Sequence, residues 1–412
     1  MDIRVALILV LEALFALWLL YDSGCIKTAA QWSAVVTLLL AAFLSRMLAL
    51  RYQTLDYQNF LAHWVDYFRQ NGGFRALKDP VGNYNIPYLY FLALFSYSKI
   101  SDLYLIKLLS VFFDVLLAWS AMRLVSRLTD SPVRRVGVFF AMLFLPTVFL
   151  NGSFWGQCDS IYTALALLAL ADALEDHPWR SMVLLALSFG FKLQAVFLMP
   201  VFAVLLFKGK IDWKHLPVFP LSYLVLVLPA VIAGRPFKDT ILLYFNQTGS
   251  IGSGLNYNSP SVFALFRDIY DPEGAAKAAI FAAFAFMLLL LVLCWIYRKH
   301  MDDRMILIVA VLFAVGIPFL LPHMHDRYFF AADALSLILA FAVPLLSPVA
   351  LLTEFASILG YYAYLVMKWL LYMEHGARAL LAVLLILWAY MLSQLKAAQP
   401  DPLSAAEQEA QK

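Results

Sequence analysis

The sequence is poor in charge and in cysteine. Only 14% of its 412 residues are Asp, Glu, Lys or Arg, whereas a typical soluble domain has about a quarter. The three cysteines show no zinc-ligand or CxxC spacing, so they indicate neither a structural metal site nor a redox motif. No run of Lys and Arg is long enough to predict nucleic-acid binding. These absences argue against a soluble domain, a small domain stabilised by a structural metal and a nucleic-acid-binding protein.

The sequence is instead rich in long apolar runs. Hydrophobic residues make up 63% of the chain and aromatic residues 16%. The runs are about as long as a bilayer core requires, and only helices or closed barrels can cross that core. We therefore predict an all-α fold, a polytopic transmembrane helical bundle with about 11 spanning helices. The predicted spans are 5–21, 29–50, 104–126, 133–150, 158–174, 215–233, 276–297, 304–321, 327–346, 349–371 and 377–395.

The apolar stretch 180–207 is interrupted by Phe191-Lys192-Leu193-Gln194. One long helix is possible, but a hairpin of two short helices with Lys192 at its apex fits better, because both charged ends then face the same side. Broken helices are tolerated in a membrane only where they line a cavity. Counting this hairpin, we expect about 13 segments.

Basic residues predict the orientation. Three connections carry most of the Lys and Arg, at 123–135, 208–214 and 298–304, and the positive-inside rule places them in the cytoplasm. A polar tail, 396–412, falls on that side as well. Residues 1–395 then form a single membrane domain with two long outer loops, 51–103 and 234–275, and with the N-terminus outside.

The first outer loop contains an amphipathic pattern at 51–74. At helical spacing Asp56, Asn59, His63 and Asp66 share one face, and aromatic side chains share another. Such a helix is expected to lie in the membrane interface with its polar face over a cavity. The alternative is an ordinary interfacial helix with solvated acids.

The stretch FWGQCDSIY, 154–162, places Trp155, Gln157 and Asp159 between two apolar runs. Asp159 begins a predicted helix, where an acid can cap backbone N–H groups, and Trp155 fits an interfacial aromatic belt. Those structural explanations leave the cluster of Asn151, Gln157 and Asp159 unexplained, so we treat it as a candidate site.

Cationic groups supply the opposite charge. An intramembrane lysine such as Lys192 is a functional-site hypothesis by default, although snorkelling to the interface is the alternative. In LPHMHDRYFF, 321–330, His323, His325 and Arg327 open a predicted helix. Two histidines with no third His or Cys ligand nearby are weak evidence for a metal. We favour an anion pocket, because arginine offers phosphate a fixed fork of donors; interface anchoring is the alternative.

Carboxylates and cations on one side of an apolar cavity suit a lipid-linked phosphate substrate. The rival hypothesis is a secondary transporter or lipid flippase, which also uses charged residues at broken helices. We detect no inverted symmetry between the two halves, which argues modestly against it. A non-catalytic assembly subunit is a third possibility that the outer polar clusters make less attractive.

Seven stretches resemble bacterial membrane glycosyltransferases of the GT-C superfamily, in the branch related to the second mannosyltransferase of GPI-anchor synthesis. The resemblance covers residues 40–345 or so, and its most specific parts are WGQCDSIY and FKLQAVFLMP. Family members typically have valine at Cys158 and glutamate at Asp326. The stretches are LDYQNFLAHW, GNYNIPYLYFLALF, IKLLSVFFDVLLA, NGSFWGQCDSIYTALALLAL, SFGFKLQAVFLMPVF, LNYNSPSVFALF and HMHDRYFF.

The resemblance implies a GT-C fold, an extracytoplasmic active site and a polyprenyl-phosphate sugar donor, with mannose favoured among hexoses. It implies that the acid of the first outer loop, Asp56, is the catalytic base and that Asp159 is the second acid of the site. We expect no cofactor and no metal. The partners expected are the lipid-linked donor, a glycan, lipid or protein acceptor, and membrane lipids. The location expected is the bacterial inner or plasma membrane.

The predicted substrate contacts are spread over four parts of the chain. Phosphate contacts from Lys192 and the HMHDR group are a weaker inference that rests partly on charge. The full set of predicted contacts is Lys192, His323, His325, Arg327, Gln157, Trp155, Asn59, His63 and Gln194.

Overall fold

The structure is a computed structural model that describes residues 2–244, 254–266 and 268–397. Its described part is almost entirely helical, which confirms the predicted all-α polytopic bundle. Most of the predicted tail, 396–412, and residues 245–253 of the second outer loop lie outside the described residues. The α-helices of the described part are α1 (Ile3–Asp22), α2 (Ala29–Ala49), α3 (Ala62–Gln70), α4 (Ile86–Phe95), α5 (Asp102–Ser126), α6 (Pro132–Phe144), α7 (Pro146–Phe149), α8 (Asp159–Leu174), α9 (Pro178–Phe191), α10 (Met199–Phe207), α11 (Val218–Ile232), α12 (Phe237–Ile241), α13 (Pro272–Ile296), α14 (Asp303–Leu320), α15 (Phe330–Ala342), α16 (Ser347–Leu365) and α17 (Met373–Ala397).

Short strands, π-helical turns and several 3₁₀ turns lie between the α-helices. Two-residue strands, β1 (Asn256–Tyr257) and β2 (Met324–His325), pair in parallel and join the second outer loop to the HMHDR segment. Two π-helical turns occur at Tyr57–Leu61 and Leu150–Trp155. π-turns are rare and are often found at functional sites.

Fewer helices in the described residues qualify as candidate spans by length and hydropathy than the eleven that were predicted. Eight helical segments in the described residues have at least 18 residues and sufficient hydropathy to cross a membrane, and a ninth is possible if the segment 132–155, bent by 48°, counts as one span. The predicted spans 158–174 and 327–346 are the two that fall short. They correspond to α8, with 16 residues, and α15, with 13. At 1.5 Å per residue these helices cover roughly 20–24 Å of a core that is about 30 Å thick.

The broken hairpin forms as predicted. Helix α9 runs antiparallel to α8, since Ser181 Oγ donates to the carbonyl of Ala169 and Ser188 Oγ to that of Tyr162. Lys192 adopts an extended backbone that ends α9. The chain then returns through α10, and Lys210 Nζ reaches the carbonyl of Leu174 at the far end of α8. Lys192 is therefore at the apex, level with the start of α8.

The three basic connections meet at one end of the bundle. Arg123 pairs with Asp172 (2.7 Å) near the end of α8, and Arg127 with Asp303 (2.7 Å) at the start of α14. Lys210 pairs with Asp176 (2.8 Å) at the same end. The first residues of α8 and α15 and the apex of the hairpin occupy the opposite end, so the predicted separation of a basic side from a polar-loop side is present in the fold.

Helix α4 lies inside the bundle. Seven of its ten residues are buried. Helix α4 packs against α3, α9 and α11. Its side chains are apolar all round, and a helix of that kind is buried on every side when neighbouring helices are available.

Candidate active site

A cavity of about 650 Å³ opens at the polar-loop end of the bundle. This volume lies in the range of small-molecule sites, about 300–1,000 Å³. One wall is apolar and comes from the apex of the hairpin, including Phe191, Val196 and Phe197. The polar residues come from four separate parts of the chain. They include Asn83, Tyr84, Asn85, Lys192, Gln194, Tyr244, Tyr257, His323, His325, Arg327 and Tyr328.

Asp56 stands beside this cavity in the loop between α2 and α3. Its carboxylate oxygen Oδ2 accepts hydrogen bonds from Trp155 Nε1 and Gln157 Nε2, each at 2.8 Å. Its backbone N–H donates to the hydroxyl of Tyr364 (3.1 Å). About a quarter of the Asp56 side chain is exposed, so the carboxylate is both held in place and open to a reactant.

A further contact sets the orientation of Gln157. The hydroxyl of Tyr84 donates to Gln157 Oε1 at 2.9 Å, so the amide must turn its NH₂ group toward Asp56. Tyr84 also lines the cavity. A chain of hydrogen bonds thus links the cavity wall to Asp56. Tyr84 was not among the predicted site residues, although it stands in GNYNIPYLYFLALF, one of the stretches that carry the resemblance.

Trp155 is fully buried and stacks on the ring of Tyr364, with centroids 4.0 Å apart and planes within 8°. The guanidinium of Arg327 lies over the Trp155 ring, 5.1 Å from its centroid. Trp155 therefore belongs to the interior of the site, and the aromatic-belt alternative does not describe it.

Asp159 is completely buried at the first turn of α8. Its oxygen Oδ1 accepts from Lys192 Nζ (2.5 Å), and Oδ2 accepts from Asn151 Nδ2 (2.8 Å). The side chain makes no capping hydrogen bond to the α8 backbone. The cluster of Asn151 and Asp159 noticed in the sequence is thus a buried network with Lys192, and the cap alternative is not realised.

The guanidinium of Arg327 lies among three carboxyl groups without a hydrogen bond to any of them. It lies 3.6 Å from Asp159, 3.7 Å from Asp326 and 4.0 Å from Asp56. These distances are ion-pair approaches that are too long for hydrogen bonds, and the buried Nε has no partner among the described residues. The Nε–H group of Arg327 is therefore a donor that a bound anion could satisfy.

The two histidines differ. His323 lies at a positive φ of 62°, and its Nδ1 is 2.7 Å from the carbonyl oxygen of Gly254. His325 stacks on Tyr257, with centroids 4.6 Å apart. Burial, with Arg327 and Lys192 nearby, lowers the pKa of His325 to about 4, so the ring is neutral at pH 7 and can donate a hydrogen bond but carries no charge.

Asp326 has the opposite shift. Burial is the main cause that raises its pKa to about 7, with Asp56 and Asp159 adding to the effect and Arg327 opposing it. At neutral pH the carboxyl is therefore protonated in a large fraction of molecules. Counting Asp56, Asp159, Lys192 and Arg327 as charged, the site is then close to neutral.

Asn59 and His63 are exposed and do not belong to the cavity wall. The predicted face assumed an uninterrupted α-helix, but the π-turn at Tyr57–Leu61 changes the rotation per residue. Asp56 therefore turns inward while His63 and Asp66 face outward. The proposed contacts of Asn59 and His63 with substrate stay predictions, and the geometry of the shared face was wrong.

Gln194 lines the cavity, as expected, and its buried Oε1 has no partner among the described residues. The described residues also contain no group of three or more His, Cys, Asp or Glu side chains arranged to hold a metal ion.

Comparison with known families gives one match. The model of glycosyltransferase family 87 matches residues 83–322, more than half of the chain. The matched range contains Gln157, Asp159 and Lys192, whereas Asp56 and Arg327 lie outside it. A comparison with curated proteins finds no significant match. The family model matches more than half of the chain, and the fold is a bundle of apolar helices. The chain therefore belongs to glycosyltransferase family 87 and is a multi-pass membrane glycosyltransferase.

Proposed function

We propose that this glycosyltransferase moves a hexose, with mannose favoured, from a polyprenyl-phosphate donor to an acceptor hydroxyl of a glycan, lipid or protein. The reaction takes place at the extracytoplasmic side of a bacterial inner or plasma membrane. The observation that carries the proposal is the juxtaposition of Asp56, held by two donors, with the guanidinium of Arg327 at the edge of a partly apolar cavity, where the Arg327 Nε has no hydrogen-bond partner among the described residues.

The donor is proposed to bind with its phosphate at Arg327. Arginine matches the geometry of phosphate oxygens, and the near-neutral site favours an added anion more than a site already carrying excess negative charge. Neutral His325 is placed to donate one further hydrogen bond. The apolar wall at the hairpin apex suits a lipid-linked donor better than a nucleotide sugar, because a polyprenyl tail reaches the cavity from the bilayer.

The proposed chemistry is a single displacement. The acceptor oxygen attacks the anomeric carbon on the face opposite the phosphate, and its proton passes to the Asp56 carboxylate, which acts as general base. The bond between the anomeric carbon and the phosphate oxygen breaks, and the polyprenyl phosphate leaves with both electrons. Negative charge grows on that phosphate, so Arg327 contributes most in the transition state. One displacement inverts the anomeric centre.

Lys192 and Asp159 are assigned a shared role. Because the Lys192 ammonium is paired with Asp159, Lys192 attracts the donor phosphate less strongly than an unpaired lysine would. We propose that the pair holds the apex of the hairpin against the start of α8 and keeps Arg327 from closing fully onto Asp159. The glycosyltransferase family argues against the transporter hypothesis, and no observation in the cavity favours it.

The test is transfer of labelled sugar from polyprenyl-phosphate hexoses by the purified protein, reconstituted with a lipid extract of its native membrane as the acceptor source. Asp56→Asn should lower the rate by about a hundredfold to ten-thousandfold, the usual loss for a general base. Asp66→Asn is the matched control, since Asp66 lies in the same segment but pairs with Arg69 at the surface.

The control should keep the wild-type rate. Transfer by Asp56→Asn at the wild-type rate would remove Asp56 from the mechanism. Transfer by the wild type from a nucleotide sugar, with none from any polyprenyl-phosphate hexose, would overturn the donor class.

A further inference from the structure

A polar row lies along the buried face of α5, in the interior of the bundle. Lys107, Ser110 and Asp114 follow each other at spacings of three and four residues, so they share one side of the helix. Each is at most 1% exposed. Burying ionisable groups at this depth costs free energy, so a row of them indicates a structural or functional role.

Lys107 holds the segment that leads to Asp56. Its Nζ donates to the carbonyl of Ala49, the last residue of α2 (3.1 Å), and to the carbonyl of Tyr52 (2.6 Å). No carboxylate in the described residues forms an ion pair with it. Both of its acceptors are backbone oxygens at the point where α2 ends and the Asp56 loop begins. The second of them, Tyr52, is four residues before Asp56.

Ser110 and Asp114 hold the other segment. Ser110 Oγ donates to the carbonyl of Gln157 (2.7 Å), and Asp114 Oδ1 accepts from Ser160 Oγ (2.5 Å). Asp114 Oδ2 also pairs with Arg46 of α2 (3.0 Å). The row therefore hydrogen-bonds to residues on both sides of Asp159, namely Gln157 and Ser160. Gln157 is one of the two donors to Asp56.

Close packing against the row supports this reading. Gly156 has a φ of +81°, and a Cβ built on it would meet Lys107 Cγ at 3.5 Å. A Cβ on Gly152 would lie 3.2 Å from both Asp114 carboxylate oxygens and 3.3 Å from Ser110 Cβ. The second π-turn and the turn that follows it thus lie directly on the row, with glycine at both points of close approach.

We propose that Lys107, Ser110 and Asp114 are positioning residues that fix the separation between the Asp56 loop and the Gln157–Asp159 segment. The two hydrogen bonds to Asp56 cross between these segments, and the row holds the backbone of each. The inference rests on the proposed function, because it concerns how Asp56 is held for proton abstraction. None of the three residues lines the cavity, so donor binding should not depend on them.

The experiment compares Ser110→Ala with Ser120→Ala in the purified full-length protein. Ser120 is a matched control on the same helix: it is equally buried, but its hydroxyl donates only to the carbonyl of Leu117 in its own helix (2.7 Å). We measure kcat, the donor KM and Tm. Misplacement of a catalytic group by about 1 Å can cost a hundredfold in rate, so we expect a loss of about tenfold in kcat for Ser110→Ala.

The donor KM should stay within about twofold of the wild-type value for both serine variants, because neither substitution changes a contact with the bound donor. Ser120→Ala should keep the wild-type kcat. Lys107→Met, if it folds, should lose about a hundredfold in kcat with the same unchanged KM. Equal kcat values for the two serine variants would overturn the inference, as would a loss that appears in KM instead. Failure of the proposed function looks different, because the wild type itself would then not transfer sugar from the lipid-linked donor.

Discussion

At the scale of single residues, the buried ion pair of Lys192 with Asp159 contributes to stability. Without Asp159 the buried Lys192 would have no carboxylate partner among the described residues, and without Lys192 the buried Asp159 would keep only Arg327, at 3.6 Å, as a nearby cation. Breaking a buried pair in this way typically costs about 3–5 kcal/mol of the free energy of unfolding, whereas replacing both partners together costs much less.

We therefore expect Lys192→Met and Asp159→Asn each to lower Tm strongly, and the double variant to recover much of the loss. Thermal unfolding of the four forms in one detergent measures the coupling. If Lys192 mainly binds the donor phosphate, Lys192→Met should instead weaken donor affinity and leave Tm near that of the wild type. Additive losses in the double variant would contradict the assigned pairing.

At the scale of secondary-structure elements, two π-turns bring the site together. Tyr57–Leu61 directs Asp56 inward, and Leu150–Trp155 presents Trp155 and Asn151 to the two acids. Beyond the first turn, the burial of Val65 and Phe68 fixes the rotation of α3. The extra residue of the π-turn therefore decides which way Asp56 faces.

Deleting Gln58 should convert the first π-turn to an ordinary α-turn. Helix α3 is anchored by its packing, so we expect Asp56 to rotate away from Trp155 and Gln157 and sugar transfer to fall by about a hundredfold or more. The point variant Gln58→Ala keeps the chain length at an exposed position and should retain the wild-type rate. Transfer assays with parallel Tm measurements separate loss of geometry from loss of fold; a deletion variant with full activity would show that the π-turn is dispensable.

At the scale of the whole molecule, the fold places three basic connections at one end and the cavity at the other. The positive-inside rule then predicts that the cavity end faces out of the cytoplasm. The wild type is a suitable background for thiol labelling, because Cys25, Cys158 and Cys294 are all buried.

A membrane-impermeant maleimide applied to intact cells should label His63→Cys, at the cavity end, and should leave Lys299→Cys unlabelled. Lys299→Cys should react only after the membrane is permeabilised, and the wild type should react little in either condition. The reverse pattern would invert the orientation and with it the extracytoplasmic site, while leaving the family and the fold untouched.

Much of this architecture follows from local patterns. Apolar runs of bilayer length determine spanning helices in any sequence context, so helices such as α1, α2 and α5 end within two residues of their predicted limits. The break at Lys192 was predictable for the same reason, because a charged and polar interruption is incompatible with a lipid-facing helix. Helix α8 lies within one residue of its predicted span but is shorter than a full span, and α15 ends at Ala342 because Val343 leaves the helical backbone before Pro344.

The sequence by itself determined the membrane class, the broken hairpin and the presence of Asp56, Asp159, Lys192 and Arg327 among the candidate groups. Only the tertiary structure decided which of these charges neutralise each other and which stay available. That division depends on distances between segments far apart in the chain, such as Lys192 to Asp159, which are 33 residues apart, and Trp155 to Asp56, which are 99 residues apart, and no local periodicity encodes them. The π-turn that turns Asp56 inward and the α5 row beneath the site are likewise decided by packing, because an extra residue in a helical turn or a buried lysine is stable only against the neighbours that the complete fold supplies.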